Sequence, residues 1–359
     1  EPKGATEVAA FADFARRNVA NGVHSGSGRT APEAEDTDYY PVALTREAIK
    51  PGVTFADPYG HLFVIADWIP QSLDGYGVLV GADAQPDGTI GRRRFWRGSF
   101  LFTPDTREVG AGFKAFRPLR YRGARIRPVK NAAIASLPGM TPHSMQQYQG
   151  TTDDFYDQVE ALINPRPLDS QQLLDVLIEA FYEQVKRRVI SVQNGEDYKA
   201  ERRGTIAMPR GHAIFETTGP WEDYSTPSRD MCLLIALDTV LGFPATVQRR
   251  PERFGLPAGD GLAAAVAALE RHLDSALTER RFRYRRSDGS LQELSAQDVA
   301  GRARDFEMAY NPNDCVEVRW AASEGSDERA TCRKRAPGPQ QRRMSDYRKW
   351  FAERRRPAR

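Results

Sequence analysis

PGVTFADPYGHLFVIADWIPQ (51–71), GYGVLVGADAQPDGTI (75–90) and RRRFWRGSFLF (92–102) follow one another almost without interruption. Each run is rich in β-branched and aromatic residues, and Gly, Pro, Asp and Gln bound each one. That pattern predicts consecutive strands of one sheet. His61 stands at the head of an apolar run, Leu62 to Ile65. A histidine at the mouth of a strand is held by a rigid sheet and still faces a cleft. The next strand ends in Asp83-Ala84-Gln85, and a carboxylate or amide there can hold an imidazole in one tautomer.

Working outward, residues 6–18 form a helix candidate in which Val8, Phe11, Phe14 and Ala15 share one face. Residues 22–38 read as loop, and 42–49 as a short element. The stretch 103–150 is irregular and carries the basic run RPLRYRGARIRPVK (117–130), where Tyr121, Ile126 and Val129 predict one or two strands. The composition then turns helical. Phe155, Val159, Leu162 and Ile163 mark a short helix ending at Pro165. Asp169 caps a long one that Asn194-Gly195 should end. Thr226-Pro227 opens a helix whose body, MCLLIALDTVL, is apolar on most sides and so buried, with Cys232 a buried thiol within it. Residues 262–280 give a further helix, 281–294 a hairpin about Asp288-Gly289, and Ser295 with Asp298 a capping box. Residues 316–320 read as a last strand.

The expected fold is therefore α/β of the α+β kind: an N-terminal mixed or antiparallel sheet, then a largely helical part. The expected divisions are 1–130, 131–332 and a basic tail, 333–359. With 359 residues the chain is long enough for two domains. It has no apolar run long enough to span a membrane and opens on no signal-peptide pattern, so it reads as soluble or as beginning after a removed segment. The net charge of +3 conceals an asymmetry: residues 333–359 hold eleven basic and two acidic side chains, leaving the rest of the chain at about −6.

Pro51-Gly52, then Gly60-His61 and an apolar run, resemble the histidine segment of the papain-like cell-wall amidases, the CHAP and NlpC-type families. The resemblance covers roughly residues 5–102. It implies a hydrolase or amidase of the bacterial envelope acting on peptide or cell-wall glycan, with His61 as general base and Asp83 or Gln85 orienting it. Asp57, Tyr59 and Trp68 around that histidine would line the substrate. The family's cysteine belongs near Ala10 or Phe11, yet no cysteine precedes Cys232. The nucleophile then lies upstream of Glu1, or Ser25 or Ser27 replaces it, or the site is inactive and the protein is a non-catalytic envelope binding or structural protein. No cofactor is implied, and the three cysteines show no metal-ligand spacing.

RGHAIFETTGPWEDYSTPSRD (210–230) is a second polar constellation. Glu216, Glu222 and Asp223 beside Trp221 suit a glycan-active site with paired carboxylates, with Trp221 and Glu222 touching the sugar. The plainer reading is a loop that caps the following helix and packs Trp221 on the core. Cys315 and Cys332 flank a polar loop. A bridge between them implies a periplasmic or secreted protein, two free thiols a cytoplasmic one. The tail mixes arginine with Tyr347, Trp350 and Phe351. No nucleic-acid module precedes it, so docking on its own acidic body or on a partner protein is preferred to nucleic acid.

Overall fold

A computed structural model describes residues 3–357, apart from 16, 18–27, 59–61, 73–74, 85–89, 105–109, 203, 216 and 218. The structure is mixed α/β, an N-terminal antiparallel sheet followed by a mostly helical part. It divides into two compact units, 1–166 and 167–359.

The first unit is built on a row of phenylalanines. Strands β1 (Tyr39–Pro41), β2 (Thr54–Ala56), β3 (Leu62–Ile69), β4 (Val78–Ala84), β5 (Ile90–Arg94) and β6 (Gly112–Phe116) form one sheet in the order β1-β6-β2-β3-β4-β5, every pairing antiparallel. Register places Phe113 opposite Phe55, and Phe55 opposite Phe63. The three rings share one face and are buried. Gly81 stands opposite Ile65, and a Cβ there would lie 2.6 Å from the Phe100 ring; the glycine makes room for that ring. Helix α3 (Thr152–Ile163) covers this face after a short α2 (Asn131–Ile134), and Phe155 stacks on Phe102 at 3.6 Å. Each of these rings contributes about 1.5–3 kcal/mol on burial.

That packing moves the expected division at 130. Phe155, Tyr156, Val159 and Ile163 complete the N-terminal core, so the first unit runs to 166. A second correction concerns helix α1 (Glu7–Phe14). Thr6 caps it, but it buries no residue, and Phe11 is 69% exposed. The face that Val8, Phe11 and Phe14 share is therefore exposed rather than packed. The sequence also gave no sign of β6, a central strand, because Lys114 interrupts its apolar pattern. That lysine is buried, and its Nζ lies within hydrogen-bond reach of Gly28 O (2.8 Å), Thr30 O (2.9 Å) and Thr30 Oγ1 (3.2 Å).

The second unit is organised by α4 (Ser170–Glu201), capped by Asp169. It does not stop at Asn194-Gly195. A Cβ on Gly195 would lie 2.8 Å from Arg319 Nη1 and 3.3 Å from Tyr224 O, so the glycine is a packing gap inside a continuous helix. Helices α5 (Pro220–Tyr224), α6 (Pro227–Leu241), α7 (Phe243–Arg249) and α8 (Asp260–Glu279) follow, then the expected hairpin, β9 (Arg281–Arg285) and β10 (Leu291–Ser295). The Ser295–Asp298 capping box is present. The helix it opens breaks into α9 (Ala296–Gly301) and α10 (Ala303–Phe306).

Residues 316–320 are not a strand. Val316–Arg319 is one helical turn, α11. VEVRW alternates like a strand, but Glu317 and Arg319 are as buried as Val316 and Trp320, so no polar face exists. The tail closes the unit as α12 (Gly338–Ala352).

Candidate functional site

Of the expected catalytic group, His61 and Gln85 lie outside the described residues, as do Tyr59, Ser25, Ser27 and Glu216. Asp83 points to the buried side of β4 with Leu79 and Gly81, and its Oδ2 accepts from Arg93 Nε at 3.4 Å. Asp57, just past β2, is buried. Trp68 is half-buried; its indole N–H donates to Ile49 O, and the Arg46 guanidinium sits 5.0 Å from its ring centre.

The 210–230 stretch takes the plainer of its two readings. Trp221 is 2% exposed, with its indole N–H donating to Ile214 O at 3.0 Å, so it offers no face to a sugar. Glu222 Oε2 accepts from Thr217 N at 3.1 Å, a contact that ties down its own loop.

Several polar groups of the second unit are deeply buried and hold it together. Arg188 donates to both oxygens of Asp230, and its guanidinium lies 4.9 Å from the Phe306 ring centre and 4.8 Å from that of Trp320. Burial pushes the Arg319 guanidinium down to about 10, with Arg188 nearby adding to the effect. Asn311, Asn313 and Gln340 interlock, and Asn313 and Gln340 both donate to Ile206 O, at 2.9 and 3.0 Å. That network fixes the start of α12. The helix then seats Phe351, fully buried and stacked on Tyr310 at 4.8 Å, while Arg348 pairs with Glu307 and Arg354 with Asp238. The tail thus docks on its own unit, and Phe351 rather than Trp350 is its anchor.

Cys315 and Cys332 form a disulfide. Glu317 sits beside it and accepts from Ser287 N and Oγ, each at 2.7 Å, and from Thr331 Oγ1. With the sulfurs joined, this trio is a structural knot. Cys232 is only half-buried, contrary to the apolar look of its helix.

One feature stands apart from these buried groups. Strands β7 (Leu119–Arg122) and β8 (Arg125–Pro128) form a separate two-stranded ribbon. Register pairs Arg120 with Arg127 and Arg122 with Arg125. Side chains alternate across a strand and cross-strand partners share a face, so these four arginines occupy one face. Leu119, Tyr121 and Ile126 occupy the other, at 58%, 80% and 53% exposure. Among the described residues none of the four arginines has an ion pair or hydrogen bond through its side chain. Gly123 turns the ribbon with φ +61 at the first central position, as a type II′ hairpin demands.

The base of the ribbon is rigid. Arg117, buried, donates to the carbonyls of Ala34, Thr37, Tyr39 and Val129 and to Asn131 Oδ1. Val129 N donates to Pro118 O at 2.9 Å and closes the stem. One arginine of the run is therefore a clamp, and the next four are presented to solvent. Like charges directly opposite each other destabilise a ribbon, and an isolated hairpin is marginal in water. The sequence carried the signal: arginines alternate with Leu119, Tyr121 and Ile126 on either side of a glycine turn.

No protein-family model matches the chain, and no curated protein or solved structure matches it.

Proposed function

We propose that this chain is a non-catalytic binding protein of an extracytoplasmic compartment, periplasmic or secreted, whose ribbon 119–128 grips an anionic partner. The observation that carries the reading is the register of β7 on β8, which gathers Arg120, Arg122, Arg125 and Arg127 on one exposed face with no carboxylate among their described contacts. An anion laid along that face removes the repulsion between the paired arginines, and guanidinium is the side chain best matched to phosphate and carboxylate oxygens. The Cys315–Cys332 disulfide supports the compartment. No single helix is long and apolar enough to cross a membrane.

The test is retention on immobilised polyphosphate at low ionic strength, wild type against Arg120→Gln/Arg127→Gln. Wild type should elute at clearly higher salt, because the contact is electrostatic and screened. Equal elution of the two proteins overturns the reading. The competing papain-like hydrolase rests on His61. Release of amine from a peptidoglycan digest by the chain, lost in His61→Ala, would establish that function instead.

A further inference from the structure

The arginine face accounts for half of the ribbon. The other half is a row of apolar side chains, Leu119, Tyr121 and Ile126, each more than half exposed among the described residues. We infer that the ribbon docks on the surface of an anionic phospholipid bilayer, apolar face down, with its arginines drawn to the lipid phosphates. The inference rests on the anion-binding reading above and names its partner.

A soluble polyanion, whether polysaccharide, polyphosphate or nucleic acid, would cover the arginines and leave Leu119, Tyr121 and Ile126 in water. A bilayer interface takes both faces at once. Leucine and isoleucine go below the headgroups, and tyrosine, with an apolar ring and a polar tip, prefers the headgroup level. Arginine stems are long enough to lie along apolar surface while their guanidiniums reach the phosphate layer. Binding strength at an interface grows with buried apolar area together with attraction to anionic lipid. The geometry suits this shallow insertion. The ribbon's backbone groups are paired between the two strands, the turn at Gly123 leads, and the stem clamped by Arg117 holds the ribbon in place. Phe116, 57% exposed just before the stem, adds apolar surface at its base.

The experiment is co-sedimentation of the full chain with vesicles of phosphatidylcholine alone, and with vesicles of equal parts phosphatidylcholine and phosphatidylglycerol. Wild type should sediment with the mixed vesicles and not with the neutral ones. Arg120→Gln/Arg127→Gln should weaken that binding about thirtyfold, from roughly a factor of five per arginine near an anionic surface. Leu119→Ser/Tyr121→Ser/Ile126→Ser should also lose the vesicles while keeping the polyphosphate column. All five positions are exposed, so these variants leave both cores untouched.

Vesicle binding by the serine variant equal to wild type overturns the inference, because the apolar face then does nothing. So does polyphosphate retention without vesicle binding, which leaves the anion-binding reading standing with a soluble partner. A wild-type dimer in sedimentation velocity that the serine variant abolishes, with no vesicle binding, assigns the apolar face to a second copy and also overturns it. Failure on both column and vesicles removes the inference and the reading together.

Discussion

Arg188 grips Asp230 through Nε and Nη2, at 2.8 and 2.9 Å, in a place where neither side chain reaches water. The pair joins α4 to the first turn of α6, and Thr226 Oγ1 adds a third bond to the carboxylate at 3.0 Å. Removing one partner leaves a buried charge uncompensated. Asp230→Ala should therefore destabilise the second unit by about 3–5 kcal/mol, whereas Arg188→Met/Asp230→Leu should come close to wild type. Urea unfolding of the three proteins checks this. A double variant as weak as the single one would show that the pair itself, and not the orphaned charge, carries the stability.

Gly195 and Arg319 set up a conflict between helix propensity and packing. Alanine in the middle of a helix is normally better than glycine by about 1 kcal/mol. Here the new methyl would meet Arg319 Nη1 at 2.8 Å, and Arg319 is fully buried. Overpacking at a rigid site costs about 1–3 kcal/mol, so packing wins and Gly195→Ala should destabilise. A thermal midpoint at or above wild type would reverse that ordering.

Lys114 gives the first unit an unusual pH dependence. Burial pushes its amine from 10.5 down to about 7. Between those values the unfolded chain binds a proton that the folded chain has lost, so stability rises with pH, by about 1 kcal/mol per unit, until tyrosines begin to ionise. The expected outcome is a urea midpoint for β2 and β6 that climbs from neutral pH toward pH ~9.5, read by pulse hydrogen exchange after equilibration. A flat or falling midpoint would mean that its three oxygen acceptors keep the ammonium charged in the folded state.

The tail offers a graded test. Phe351 is fully buried, Trp350 is partly so, and Arg355 is exposed with its side chain paired to Glu353. Phe351→Ala should cost about 3–5 kcal/mol and open residues 338–357 to trypsin. Trp350→Ala should loosen the tail less, and Arg355→Ala hardly at all, since exposed ion pairs contribute about 0–1 kcal/mol. Reducing the Cys315–Cys332 bridge should lower the second unit's stability by about 3 kcal/mol, as expected for a loop of this length. Equal trypsin sensitivity of the three variants would defeat this account of the anchor.

Where the chain follows local rules, its structure was legible. The strands that begin at 54, 62, 78 and 90, the Asp169 cap, the hairpin at Asp288-Gly289 and the Ser295 capping box declare themselves through turn residues, caps or spacing, whereas the expected strand 92–102 ends at Arg94 and continues as a loop that buries Phe95 and Phe100, and the sequence left the 315–332 bridge open beside two free thiols. The misses share a cause, since each is a place where a distant contact overrides the local pattern. Lys114 sits in a central strand because the carbonyls of Gly28 and Thr30 receive it. Gly195 stays helical because Arg319 needs the space. Glu317 and Arg319 make a strand-like sequence helical because both are buried. Trp221 is where the plainer of two readings holds: its indole N–H is met by Ile214 O from within its own loop. The ribbon arginines were visible as charge, and only the register of β7 on β8 shows them as one face.

The sheet order also has a temporal side. β1 pairs only with β6, and β2 lies between β6 and β3. On a growing chain the meander from β2 to β5 can therefore assemble early, but β1 has no neighbour until residues 112–116 have been synthesised. Contacts of that sequence separation slow folding, because loop-closure entropy must be overcome before pairing rewards it. Until then the backbone edge of β2 that β6 will occupy is open, able to pair with another nascent chain. A ribosome-stalled chain ending before β6 should accordingly be aggregation-prone, and one that includes it should not.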